Sequence, residues 1–426
     1  MKQHPRQMLT TLLALSGLVI LALGAACPSR KDAAAEDPED KAAPQSLRFE
    51  KKHLFVNPYE STAVGDLNKD GHQDIVYGAY WFAGPDFVPR TFRPNHVSSD
   101  YIRANSDHIY DVDKDGWPDV IAGGWQEDGI YWYKNPGNTP KETGKPWEMH
   151  LPWKATLLAK TRGHMEMFAL HDFDGDGTPE LYSACYRKAE PLEVWRFKTN
   201  EEGQLHLEPF VLGEQGGGHG FAFGDVNGDG REDVLTEVGW YERPEGDPFA
   251  APWKHHPETA LPHPSCPFVV KDLNGDGRLD IIFGRGHDVG LYWWEQQAPQ
   301  TDGTTVWKKH VIDESWTQAH ALALADLDGD GEEELVAGKC IWAHNAGDPG
   351  AADPPAVYYY KWDKKALKFT RHTIAAEGEN IALGRQYDVK DLDGDGRLDI
   401  TAPSKLGLWV LFNRGFASPP RLASTP

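Results

Sequence analysis

The stretch Asp225-Val226-Asn227-Gly228-Asp229-Gly230-Arg231-Glu232-Asp233 decides the reading of this chain. Oxygen-bearing side chains stand at its positions 1, 3, 5 and 9, and Gly at position 6 allows a sharp turn. That set suits a hard cation that needs several carboxylates. The pattern D-x-[DN]-x-D-G-x-x-[DE] occurs seven times, with starts separated by 45, 61, 53, 47, 54 and 65 residues. Its ligand positions in the first three copies are Asp66, Asn68, Asp70 and Asp74; Asp111, Asp113, Asp115 and Asp119; and Asp172, Asp174, Asp176 and Glu180. The fourth and fifth copies supply Asp225, Asn227, Asp229 and Asp233, then Asp272, Asn274, Asp276 and Asp280. The last two supply Asp326, Asp328, Asp330 and Glu334, then Asp391, Asp393, Asp395 and Asp399. An isolated copy is equally an acidic turn held by its own side-chain hydrogen bonds. Seven copies at this spacing point to about one structural Ca²⁺ per repeat.

Outward from each loop the pattern is β throughout. An apolar stretch such as Phe221-Ala222-Phe223 precedes the loop, and a β-rich stretch such as Ile281-Ile282-Phe283 follows it. A Trp- and Tyr-rich stretch comes next, as in Ile130–Tyr133, Gly239–Tyr241, Leu291–Trp294 and Leu408–Val410. A fourth strand is marked by an aromatic residue, a short gap and a His: Phe49…His53, Phe92…His96, Trp147…His150, Trp253…His256, Trp307…His310 and Phe369…His372. A degenerate version lies around Leu205–Val211. Four strands per repeat predict an all-β, seven-bladed β-propeller over 48–415. The first fourth-strand signature precedes blade 1, so the N-terminal strand is expected to complete the last blade and close the ring. The recurrent histidines read as structural, since they repeat with the blade.

These loops resemble the FG-GAP/VCBS repeats of integrin-like β-propellers, which implies a calcium loop in each blade and leaves function open. They also share the first spacing of an EF-hand loop, without its twelfth-position Glu.

Composition agrees with this architecture. Of 426 residues, 40% are hydrophobic and 25% charged, enough apolar material for a large core. Asp and Glu number 65 against 43 Lys and Arg, a net charge of −22 that opposes nucleic-acid binding. Three of the 28 loop ligand positions are Asn, so 25 carboxylates are concentrated in the loops. Without cations they repel one another.

The N-terminus reads as an address. Lys2 and Arg6 precede an apolar run, Leu9–Ala26, ending in small residues before Cys27. This predicts a secretory signal over 1–26; a membrane-spanning helix is the alternative. The small residues before Cys27 resemble a bacterial lipoprotein signal, which implies Cys27 as the lipidation site and the cell envelope, or the extracellular space, as location. Membrane contact is then through the lipid alone. Residues 27–47 read as a disordered tether and 416–426 as a disordered tail. Cys185, Cys266 and Cys340 form neither a disulfide framework nor a zinc motif.

Candidate chemistry lies at the opposite end of the inner strands. Six residues before each loop stand Glu60, Asn105, Glu166, His219, Cys266, His320 and Arg385. Nearby segments add Arg103, His164, Arg187, His287 and Lys339. Convergent His, Glu, Arg and Lys suit general acid–base work, with room for a catalytic divalent metal; a hydrated polar channel is the bland alternative. The His-rich strand starts, Gly163–Glu166, Gly218–Gly220 and Ala319–Ala321, also resemble the propeller of aldos-2-ulose dehydratase/isomerase enzymes. That resemblance implies His164, Glu166, His219 and His320 for proton abstraction and metal or substrate contact, with Arg385 holding an enolate or hydroxyl. Glu60, Arg103, Asn105, Arg187, His287 and Lys339 are then candidate substrate contacts. Two readings follow: a carbohydrate-acting lyase or isomerase, and a non-catalytic adhesion module that binds glycan or protein.

Overall fold

Each loop carries an apolar residue at position 2, and this residue explains how strands become blades. Leu67, Val112, Phe173, Val226, Leu273, Leu327 and Leu392 are all buried, so each loop plugs its own turn into the core. The computed structural model describes residues 46–416, apart from 96, 99–100, 103–104, 126, 128, 138–151, 163–164, 186 and 343–345. Seven four-stranded antiparallel sheets result. The first comprises Ala63–Gly65, Asp74–Tyr77, Tyr80–Ala83 and Val88–Thr91. The next three run through Ser106–Lys160, Met165–Gly213 and Phe221–His256, and then come Val269–Thr317 and Ala319–Ala375. The seventh takes its three inner strands from Val389–Lys390, Asp399–Ser404 and Gly407–Phe416. Its outer strand is Leu47–Phe55 from the other end of the chain, paired antiparallel with Gly407–Phe416, with His53 opposite Trp409. The molecule is a seven-bladed β-propeller.

Seven buried apolar clusters occupy the seven joints between neighbouring blades. At the joint between the last blade and the first, Tyr59, Ile75 and Phe82 pack with Leu392, Leu408 and Phe412. Ridges of large side chains from flat sheets have nowhere else to be buried, so the sheets pack face to face around an axis.

The recurrent histidines are stacking partners. His256 lies 3.9 Å from Trp240 at 8°, His310 lies 4.2 Å from Trp293 at 14°, and His372 lies 4.7 Å from Tyr359 at 10°. Each pair is a direct cross-strand pair between the third and fourth strands. In blade 1 the Arg90 guanidinium covers Trp81 instead. Two of the expected fourth strands differ. In blade 1 the strand is Val88–Thr91, so Phe92 follows it and packs on Trp153, while His96 lies outside the described residues. In blade 2 the strand is Lys154–Lys160, and Trp147…His150 falls outside the described residues. An aromatic-to-His spacing marks the fourth strand only where the His can reach a third-strand ring.

His310 also bonds Glu295 at 2.8 Å. His310→Ala is expected to lower stability by about 1 kcal/mol, the usual scale of a stacked aromatic pair. The denaturation midpoint in urea measures this, and an unchanged midpoint contradicts the stacking role.

Candidate functional site

The loops form one end of the disc. In all seven, an oxygen of the position-1 Asp accepts the backbone N–H of the position-6 Gly at 2.8–3.0 Å. That Gly has positive φ throughout, +84° at Gly230, which explains its invariance within the chain. The position-9 carboxylate is buried and accepts the N–H of position 2 at 2.8–3.1 Å. Where it is Asp, its second oxygen accepts an N–H from the end of the third strand: Gly84, Asn135, Arg243, Gln296 or Asn413. Burial pushes these carboxyls up, Asp74 to about 6 and Asp233 to about 7, and the other carboxylates of the same loop push the same way.

Side-chain hydrogen bonds therefore shape the loops, and their remaining oxygens converge. Asp111, Asp113 and Asp115 bring ligand atoms within 4.8 Å of one another, as do Asp172, Asp174 and Glu180, Asp326, Asp328 and Glu334, and Asp391, Asp393 and Asp399. In three of these loops a basic side chain sits against positions 3 and 5. It is Lys134 on Asp113 and Asp115, Lys361 on Asp328 and Asp330, and Arg414 on Asp393 and Asp395. The loops are thus arranged to be neutralised by cations. Their donors, carboxylates and Asn carbonyls at a turn, fit Ca²⁺.

At the far end of the inner strands the counted positions meet. One oxygen of Glu166 lies 3.3 Å from Arg385 Nη1, 3.3 Å from His320 Nε2 and 3.9 Å from His219 Nε2. His219 and His320 face each other, Nε2 to Nε2, at 3.2 Å. His287 joins them with ring centroids 4.9 Å from His219 and 5.3 Å from His320. His219 Nδ1–H donates to the Pro264 carbonyl at 2.5 Å, and His287 Nδ1–H donates to Asp348 at 2.8 Å. A carbonyl accepts only, so the Nε2 of His219 carries the lone pair. Burial pushes His219 down to about 4, with His320 adding to it against the pull of Glu166. Burial lowers His320 as well. Burial alone would raise the Glu166 carboxyl, but Arg385 and the two imidazoles hold it well below the usual range. Neutral imidazoles and an ionised carboxylate therefore share one small space. Glu60 completes the group, 3.6 Å from Arg385 Nε and 3.4 Å from Cys340 Sγ.

Other expected contacts fall elsewhere. Asn105 is buried and caps a turn by accepting the Trp125 N–H at 3.0 Å. Lys339 is buried, and its ammonium donates to Thr317 at 2.9 Å, Gln318 at 2.8 Å and the Gly350 carbonyl at 2.6 Å. Three acceptors saturate an ammonium, so Lys339 pins the segment around Gly350 to Thr317 and Gln318. Arg187 is exposed on the turn before Glu190. Arg103 and His164 lie outside the described residues, as does Cys27. Cys266 is a core residue, fully buried and packed among Phe221, Tyr182 and their neighbours. Sequence reasoning missed Asp348, which orients His287 and also accepts from Gln318 at 3.3 Å. It lies in a connection without repeat signature, so no spacing marks it.

Known proteins bear on the loops. A model of the FG-GAP-like repeat matches residues 172–236 and 272–337, and one of the FG-GAP repeat matches 59–87. The chain carries FG-GAP repeats. No curated protein matches it. Among solved structures, an exotype rhamnogalacturonan lyase is 14% identical with TM-score 0.47, over 86% of this chain and 75% of that one. A Bacillus licheniformis rhamnogalacturonan lyase is 12% identical with TM-score 0.45, over 86% and 75%. The V. cholerae biofilm matrix protein Bap1 is 10% identical with TM-score 0.45, over 87% and 92%. These are similarities of fold alone.

Lys339→Met should make amides in the 340–356 connection, such as those of Ala351 and Asp353, exchange roughly tenfold faster, as expected for losing charged hydrogen bonds. Hydrogen exchange by mass spectrometry measures it; unchanged protection would remove the pinning role.

Proposed function

We propose that this protein is an exported, calcium-stabilised propeller that binds a carbohydrate at the channel end and acts on it by proton abstraction, as a lyase, dehydratase or isomerase does. The observation that carries the reading is the single Glu166 oxygen shared by Arg385 and two neutral imidazoles. Abstraction of a proton α to a carbonyl needs a proton acceptor and a fixed positive charge facing the developing oxyanion. The Glu166–imidazole cluster offers the first and Arg385 the second. Arg385 and His287 are the members that reach solvent, at 13% and 14% side-chain exposure. Substrate therefore meets these two, with His219, His320 and Glu166 behind them. Calcium in the loops would hold the opposite ends of the same inner strands. An exported chain meets calcium and glycans together, in keeping with the signal-like N-terminus and the lipid site expected at Cys27.

The second reading is a non-catalytic module that binds glycan or protein. One observation favours it: His219 and His320 are 0% and 1% exposed, so neither is open to a substrate-sized ligand.

Incubating the purified chain with a panel of keto-sugars and anhydro-sugars, followed by enone absorbance and NMR, separates the two. The enzyme reading expects turnover on at least one sugar. It also expects Arg385→Gln to lower kcat by about 10²-fold or more, the scale of losing one oxyanion contact. Wild-type turnover in that variant contradicts the role of Arg385. Binding without turnover across the panel supports the second reading.

A further inference from the structure

Glu166, His219, His287 and His320 come from four consecutive blades. Glu166 lies in the inner strand Met165–His171, His219 just ahead of Phe221–Gly224, His287 between Asp280–Gly284 and Val289–Gln297, and His320 in Ala319–Ala325. Folding thus brings together four side chains that no local motif connects. One ligand atom from each of the three histidines lies within 4.8 Å of the others.

We propose that these four side chains form a binding site for one divalent first-row transition metal ion, distinct from the acidic loops, that clamps blades 3 to 6 at the channel. The separations suit a shared ion. Ligands about 2.0–2.1 Å from a tetrahedral metal lie about 3.3 Å from one another. The observed edges are 3.2 Å for His219 Nε2 to His320 Nε2, 3.3 Å for His320 Nε2 to Glu166 Oε1 and 3.9 Å for His219 Nε2 to Glu166 Oε1.

The surrounding bonds point the same way. The Nδ1 of His219 is spent on the Pro264 carbonyl and that of His287 on Asp348, which turns each Nε2 lone pair inward. Outer partners of this kind, a carbonyl and a carboxylate, fix the tautomer of metal-bound histidines. Arg385 Nη1 lies 3.3 Å from the same Glu166 oxygen and holds the carboxylate ionised. Without an ion, a lone pair and a carboxylate oxygen confront a single imidazole edge in a buried space, and the Nδ1 of His320 is buried with no hydrogen-bond partner among the described residues. Three imidazoles with one carboxylate favour borderline ions such as Zn²⁺, Co²⁺ or Fe²⁺, whereas the all-oxygen loops favour Ca²⁺. The ion rests on side-chain geometry alone. With the ion bound, these lone pairs are ligands, so the cluster would supply Lewis-acid charge beside Arg385 in place of a proton acceptor; that use rests on the carbohydrate reading.

Co²⁺ serves as the probe because its visible d–d bands report imidazole ligation. The full chain, freed of metal and resupplied with excess Ca²⁺, is titrated with Co²⁺. One equivalent with absorption typical of a four- or five-coordinate site is expected, together with a rise in melting temperature. His287→Ala, the least buried ligand, and Glu166→Gln should each weaken Co²⁺ binding at least tenfold, while His310→Ala on an outer strand should bind like wild type. Melting curves confirm that each variant is folded; if His219→Ala or His320→Ala fails to fold, the other two variants decide. Absence of d–d bands in the wild type, or equal binding in His287→Ala and Glu166→Gln, overturns the site. Turnover plays no part in the readout, so a silent sugar panel leaves it intact.

Discussion

The interaction on which the structure most depends is the buried carboxylate at loop position 9. Where it is Asp, it ties the start of its own loop, through the position-2 N–H, to the end of the third strand of the same blade. A second layer of bonds then crosses between blades. Asn135 donates to the Leu67 carbonyl at 2.9 Å, Gln296 to that of Val226 at 2.9 Å, and Asn413 to that of Leu327 at 2.7 Å. Each acceptor is the position-2 residue of the preceding blade's loop. The loop is therefore the point where a blade closes on itself and joins its neighbour. A buried carboxylate costs much unless it is fully bonded, and position 9 spends its oxygens on backbone N–H groups. The oxygens at positions 1, 3 and 5 that could hold a cation stand outside it. Neutralising them relieves the repulsion that adds to the effect of burial on the position-9 carboxyl.

The inner strand links this frame to the channel. Its loop end is fixed by the bonds just described, and six residues earlier it delivers Glu60, Glu166, His219, His320 or Arg385 to the axis. A side chain fixed at the start of a strand whose other end is anchored has little freedom, which suits a site that needs preorganised charges. The same frame keeps Glu166 ionised while burial keeps His219 neutral. Opening the cluster to water would return both groups toward their ordinary values.

Much of this was legible in the residues because the repeat is strict where backbone geometry is strict. Position 6 is always Gly, position 9 always an acid and position 2 always apolar, so seven copies stand out. Counting back six residues from the loop brings Glu60, Glu166, His219, His320 and Arg385 together, whereas Asn105 caps a turn and Cys266 packs in the core. The fourth strands were legible only in part. Their signature is a His stacked on a third-strand ring, and blade 1 uses Arg90 on Trp81 for the same purpose. The hydrogen bonds of Lys339 were not legible for another reason: its partners Thr317, Gln318 and Gly350 come from segments with no common spacing. Likewise, the near-complete burial of His219 and His320 depends on how four blades pack, which no single repeat encodes.

The central claim, that cations in the acidic loops hold the propeller together, is tested most directly by melting the protein in excess Ca²⁺ and again in excess chelator, with bound Ca²⁺ counted by equilibrium dialysis. The account expects about one ion per loop and a cooperative melt that moves down by tens of degrees when they are removed. A chain that binds no Ca²⁺ and melts at the same temperature in chelator contradicts it.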